Sequence, residues 1–155
     1  EWSTVGDGPW ELTSERAASG VYSIRSPDIF DGDDLSQKSS NVTIVTGPAW
    51  GDGTLVFSVL AGVNQPFDIL YIFVDGVERD RLTAMTTEFQ TEKVELAPGP
   101  HAITWSYKTN PEPLEVFPPV PVGRMGAVFI DDVYFLPGGA TIAPAAGPVV
   151  ELPGV

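Results

Sequence analysis

The chain has no cysteine among its 155 residues, which excludes disulfides, thiolate zinc sites and cysteine nucleophiles. Its single histidine, His101, leaves little for imidazole catalysis or a transition metal, so any bound metal is expected to be hard and oxygen-ligated. Cations are also scarce. Against 8 Lys and Arg stand 21 Asp and Glu, a net charge of −13 that repels a nucleic-acid backbone and an anionic membrane surface, so no nucleic-acid partner is expected. No apolar run approaches the roughly 20 residues that a spanning helix needs, so these residues are not expected to span a membrane. Glu1 opens the chain with neither Met nor a signal-peptide pattern, and the sequence is expected to be a piece of a larger protein.

What is present is enough to fold. The hydrophobic fraction is 43%, with eight Phe, four Trp and four Tyr, and a chain of this length buries roughly two-thirds of its unfolded surface. Sixteen Gly and fifteen Pro give a turn-rich composition. Apolar segments are short, with period two or continuous β-branched and aromatic runs, and none keeps a helical repeat. Candidate strands are Trp10–Thr13, Val21–Arg25, Asn41–Thr46, Thr54–Ala61, Asp68–Asp75, Glu88–Leu96, Ala102–Lys108 and Gly126–Leu136, each bounded by turn residues. Ile103, Trp105 and Tyr107 share one face of their strand, and Thr104 and Ser106 the other. Asp68–Asp75 is apolar on both faces, which places it mid-sheet or beneath a cover. Asp75-Gly76 is a hairpin-turn signal, with Val77–Leu82 returning as a short strand or loop.

Two regions break the rhythm. Pro111–Gly123 carries five prolines and reads as a stiff, exposed loop, with Phe117 and Val120 as apolar candidates for a partner or for the domain's own end. Residues 137–155, nearly uncharged and aperiodic, read as a Pro/Gly-rich linker or C-terminal tail after a domain at 1–136.

The order of these pieces resembles the cysteine-poor relatives of MAM modules, among the concanavalin-like jelly rolls of secreted and cell-surface proteins. The resemblance rests on Gly20-Val-Tyr-Ser23, Thr54-Leu-Val-Phe57, Phe73-Val-Asp-Gly76, Gly99 before His101-Ala-Ile-Thr-Trp105 and Tyr107, and Ala127-Val-Phe-Ile-Asp-Asp-Val133. It covers Trp10 to Phe135 and departs from true MAM modules in lacking their cysteines. It implies an all-β, antiparallel two-sheet jelly-roll sandwich, with Trp105, Tyr107, Phe57, Phe73, Ile103 and Ile130 expected in the core.

Asp28, Asp31, Asp33 and Asp34 fall within seven residues, a cluster that either relieves its repulsion by binding Ca²⁺ or forms a solvated turn. Asp131 and Asp132 interrupt an apolar strand, so alternation turns one of them inward, where it needs a cation or several donors. In sandwiches of this resemblance the first and last strands lie side by side, which implies a structural Ca²⁺ near Asp131, Ser14 and Glu15. The alternative is a carboxylate met by backbone N–H groups, Arg16 or Arg25. Trp10 and Trp50 lie in or near Gly-rich turns, where an aromatic ring either stacks on sugar or anchors the domain. Asn41-Val-Thr43 is an N-glycosylation pattern.

Catalysis finds no support. His101 follows Pro-Gly-Pro at a strand start, and the one-strand Glu-x-Asp-x-x-Glu pattern of jelly-roll glycosidases is absent from the sequence. The expectation is a non-catalytic extracellular or cell-surface adhesion module with a structural Ca²⁺, binding a protein or glycan. The second reading is a carbohydrate-binding module that targets an enzyme or cell-wall protein.

Overall fold

The computed structural model describes residues 2–29, 37–47, 51–63, 68–109 and 126–138. These form ten strands and, among the described residues, no helix: β1 (Trp2–Gly6), β2 (Glu11–Thr13), β3 (Ser23–Arg25), β4 (Lys38–Val45), β5 (Gly53–Ala61), β6 (Asp68–Val74), β7 (Val77–Leu82), β8 (Gln90–Leu96), β9 (Ala102–Thr109) and β10 (Val128–Pro137). One sheet runs β1-β4-β9-β6-β7 and the other β2-β3-β10-β5-β8, and every pairing is antiparallel. The result is the jelly-roll sandwich expected from the sequence.

Alternation along the strands builds the core. Leu55, Phe57, Val59 and Ala61 of β5, with Val128 and Ile130 of β10, belong to one buried cluster with Val42, Leu70, Ile72, Val74, Ile103, Trp105 and Tyr107 of the other sheet. Phe57 meets Trp105 edge to face at 5.3 Å. The Tyr107 hydroxyl donates to Oδ2 of the buried Asp68 carboxylate at 3.1 Å, which joins the two polar groups inside the sandwich.

Several expectations need correction. Phe73 lies on the outer face of β6, out of phase with the buried Leu70, Ile72 and Val74. Trp10 is 6% exposed and joins the core, so it is no surface platform. Trp2 belongs to β1, a strand the sequence did not reveal, and its ring stacks on Trp105 with centroids 5.8 Å apart. Neither Asp131 nor Asp132 enters the core. The register against β5 shifts between Asp131 and Tyr134, and Asp132 takes φ 48°, so an extra residue resets the alternation. Asp131 therefore stays in phase with Phe129, outside the main core, while Val133 packs against that core.

Candidate functional site

The two outer faces differ. On the β2-β3-β10-β5-β8 sheet, Leu60, Ala127 and Phe129 form a small second core against Phe89, and Arg25 lies over the Phe129 ring at 5.9 Å. On the β1-β4-β9-β6-β7 sheet, the outer side chains of central β6 are Ile69, Tyr71 and Phe73, all half-buried. A strand apolar on both sides yet open on one of them is the feature that sets this face apart.

The register arranges its neighbours in rows. Val5, Asn41, Ser106, Tyr71 and Arg81 lie side by side across all five strands, and Ser3, Thr43, Thr104, Phe73 and Glu78 form the next row. Tyr71 and Phe73 have centroids 5.9 Å apart and ring planes 26° from parallel. The Arg81 guanidinium lies 5.3 Å and the Lys108 ammonium 5.2 Å from the Tyr71 centroid. Arg81 also pairs with Glu78, with Nη2 and Nε each 2.6 Å from one carboxylate oxygen. The Thr43 and Thr104 hydroxyls share a hydrogen bond at 2.7 Å. Asn41 Oδ1 is buried and has no hydrogen-bond partner among the described residues. Adjacent aromatic rings flanked by hydroxyls, an amide and charged groups provide apolar area for a flat ligand together with polar groups that orient it.

The residues singled out from sequence do not converge there. Asp131 Oδ2 accepts from the amides of Ala18 and Ser19 at 2.8 and 3.1 Å, and Oδ1 accepts from the Asp132 amide at 2.7 Å. The Ser19 hydroxyl donates to Asp132. This is the backbone N–H arrangement that the sequence left open beside a cation. Glu15 pairs with Arg25 at 3.3 Å, and Asp28 is exposed with its carboxylate beside Gly126. Among the described residues, no three acidic or imidazole side chains gather as a metal group would need. Asp31, Asp33, Asp34, Trp50, Phe117 and the Pro111–Gly123 loop lie outside the described residues. Asn41 sits mid-strand with its amide oxygen buried, a poor posture for a glycosylation acceptor.

Two further features lie away from this face. A hollow of about 340 Å³ beside β2 is lined by Pro9, Leu12, Pro27 and the Glu15–Arg25 pair, with no aromatic ring. Burial pushes the Glu92 carboxyl above the usual carboxylate range and nearby Asp80 adds to the shift, but both stand on the edge strands β7 and β8.

Tyr71 and Phe73 were not singled out from the sequence. Their signal lay in the sequence as the doubly apolar run Asp68–Asp75, which has a structural explanation as ready as a functional one.

No protein-family model matches the chain, and no curated protein resembles it significantly in sequence. Solved structures do share its fold. A family-61 carbohydrate-binding module in complex with β-1,4-galactotriose superposes with TM-score 0.57 and 17% identity over 88% of each chain. The K1 cleaved adhesin domain of Lys-gingipain from Porphyromonas gingivalis W83 gives 0.58 and 13% over 89% of this chain and 91% of that one. A xylan-binding domain of family 22 gives 0.52 and 11% over 91% and 89%. At these identities the likeness is one of fold.

Proposed function

We propose that this chain is a non-catalytic, extracellular carbohydrate-binding module whose ligand lies across the outer face of the β1-β4-β9-β6-β7 sheet. The observation that carries the proposal is the Tyr71–Phe73 pair, half-buried on the outer face of the interior strand β6 and set in rows with Asn41, Thr43, Thr104 and Ser106. The flat apolar face of a pyranose stacks on such rings, and its equatorial hydroxyls find donors and acceptors in the flanking rows. The sharing of this fold with modules that bind galactotriose and xylan supports the carbohydrate reading over the protein-adhesion reading, and with adhesin domains it supports an extracellular setting. Among the described residues no helix is long and apolar enough to cross a membrane.

Affinity electrophoresis against a panel of soluble polysaccharides tests this reading. Wild type is expected to be retarded by at least one of them, and Tyr71→Ala to migrate as in a blank gel while melting within about 1–2 kcal/mol of wild type, since the ring is only half-buried. Retardation by none, or retention unaffected by Tyr71→Ala, contradicts it.

A structural Ca²⁺ at Asp131 and Asp132 is a separate proposal. Asp131 is already met by three amide N–H groups, so an ion there would draw on Asp132 and on carbonyl and water oxygens to reach six or more ligands. A melting temperature raised by millimolar Ca²⁺ and not in Asp132→Ala supports it. Curves that coincide with and without chelator reject it.

A further inference from the structure

A neutral sugar makes no use of the charge carried by the cations around Tyr71. The chain holds only 8 Lys and Arg, yet Arg81 from β7 and Lys108 from β9 both reach to about 5 Å from the ring on which a sugar would stack. Glu78 shares Arg81, whereas Lys108 has no carboxylate within ion-pair reach among the described residues. In a molecule of net charge −13, this corner of the face therefore carries, among the described residues, a local positive excess beside its aromatic rings.

Resting on the carbohydrate reading, we propose that the ligand is an acidic glycan. A uronate residue stacks on Tyr71 and Phe73 and directs its carboxylate to Lys108 Nζ, with Arg81 as second cation. A carboxylate there makes a charge-assisted hydrogen bond in a place that a neutral hydroxymethyl group fills without one. The overall charge narrows the class further. Repulsion between exposed charges fades beyond a Debye length of about 8 Å at physiological salt, so the local pair can hold one carboxylate while a uniformly charged polyanion meets the acidic remainder of the surface. The structure thus favours a largely neutral backbone with isolated uronates over a continuous polyuronate.

The test uses glucuronic-acid-substituted xylo-oligosaccharides and other uronate-bearing fragments from the polysaccharides that retard the protein, each compared by calorimetry with its carboxyl-reduced counterpart. The native fragment is expected to bind about tenfold or more tightly than the reduced one at low salt, with the gap narrowing as NaCl rises. Lys108→Gln is expected to remove most of that gap. Arg81→Gln, which also frees Glu78, serves as second variant, with melting curves as the folding control. Equal affinity for both forms, or a gap that survives Lys108→Gln, overturns the acidic-glycan inference and leaves the carbohydrate reading intact. Binding of neither form, by any fragment, overturns the carbohydrate reading itself.

Discussion

His101 shows how a single side chain ties three turns together. Its Nδ1 lies 2.6 Å from an Asp75 carboxylate oxygen and its Nε2 lies 2.7 Å from the Ala97 carbonyl, so both ring nitrogens face acceptors and the doubly protonated ring is favoured. The other Asp75 oxygen accepts from the Ala102 amide at 2.9 Å, and the His101 amide donates to the Thr46 hydroxyl at 2.8 Å. The hydrogen bond to Asp75, then that to Ala97, holds the imidazole above the ordinary histidine range, with Asp75 charge adding and Arg79 opposing; the same bond holds Asp75 below the usual carboxylate range. The stability that His101 contributes is therefore complete below the ordinary histidine pKa and is lost as pH rises through the raised native value. The Asp75 contribution is present above the ordinary carboxylate pKa and is lost as pH falls through the depressed native value. Melting temperature is expected to decline from mildly acid to mildly alkaline pH in wild type, and His101→Gln to flatten that slope. An unchanged slope in the variant would show that His101 is not the titrating group. The sequence identified this histidine as a turn marker and excluded it from catalysis, but its partners, 26 residues and 4 residues away, become visible only once the turns are stacked.

Other single residues follow the same rule. Trp10 in the core is expected to cost about 3–5 kcal/mol on substitution by Ala, measured by denaturant unfolding, whereas a surface ring would cost far less. Asp131→Ala strips three amide N–H groups of their acceptor and is expected to cost about 1–3 kcal/mol.

Strands with two-residue periodicity were legible; an edge strand without a burial pattern was not. Every central strand was found within a few residues because β-branched and aromatic residues alternate or run continuously there. The return strand β7 was marked by the Asp75-Gly76 turn, whose φ values of 52° and 76° suit a two-residue hairpin. In contrast, β1 is exposed at all five positions and pairs only with β4, so it has no burial pattern to read. The bulge in β10 was hidden for a similar reason: alternation predicts which face a residue takes only while the register holds. That strand also packs tightly against β5. A Cβ on Gly53 would lie 2.2 Å from the Leu136 carbonyl and 2.5 Å from the Phe135 ring, while one on Gly51 meets nothing within 4 Å. Gly53→Ala is therefore expected to lose about 1–3 kcal/mol or more in chemical denaturation, and Gly51→Ala to stay within about 0.5 kcal/mol of wild type.

At the scale of the whole molecule, charge and cysteine count excluded more than the motifs identified. The two-sheet sandwich was legible because short period-two runs and the turns between them are written along the chain. That pattern did not locate the proposed binding face, because that face is made by register. Asn41, Ser106, Tyr71 and Arg81 are separated in sequence and meet only when β4, β9, β6 and β7 align. Aromatic residues near Gly-rich turns drew attention from sequence, whereas the pair proposed to meet the ligand sits in the middle of a strand whose hydrophobicity is explained equally well by a place inside the sheet. The most direct measurement of the central claim is a map of amide NMR shifts on titration with an oligosaccharide that the protein binds. The account predicts that the largest shifts fall on Asn41, Thr43, Tyr71, Phe73, Thr104 and Ser106, with small ones along β2, β3 and β8. Shifts concentrated on the opposite sheet or on the turns, with those six residues unmoved, would contradict it.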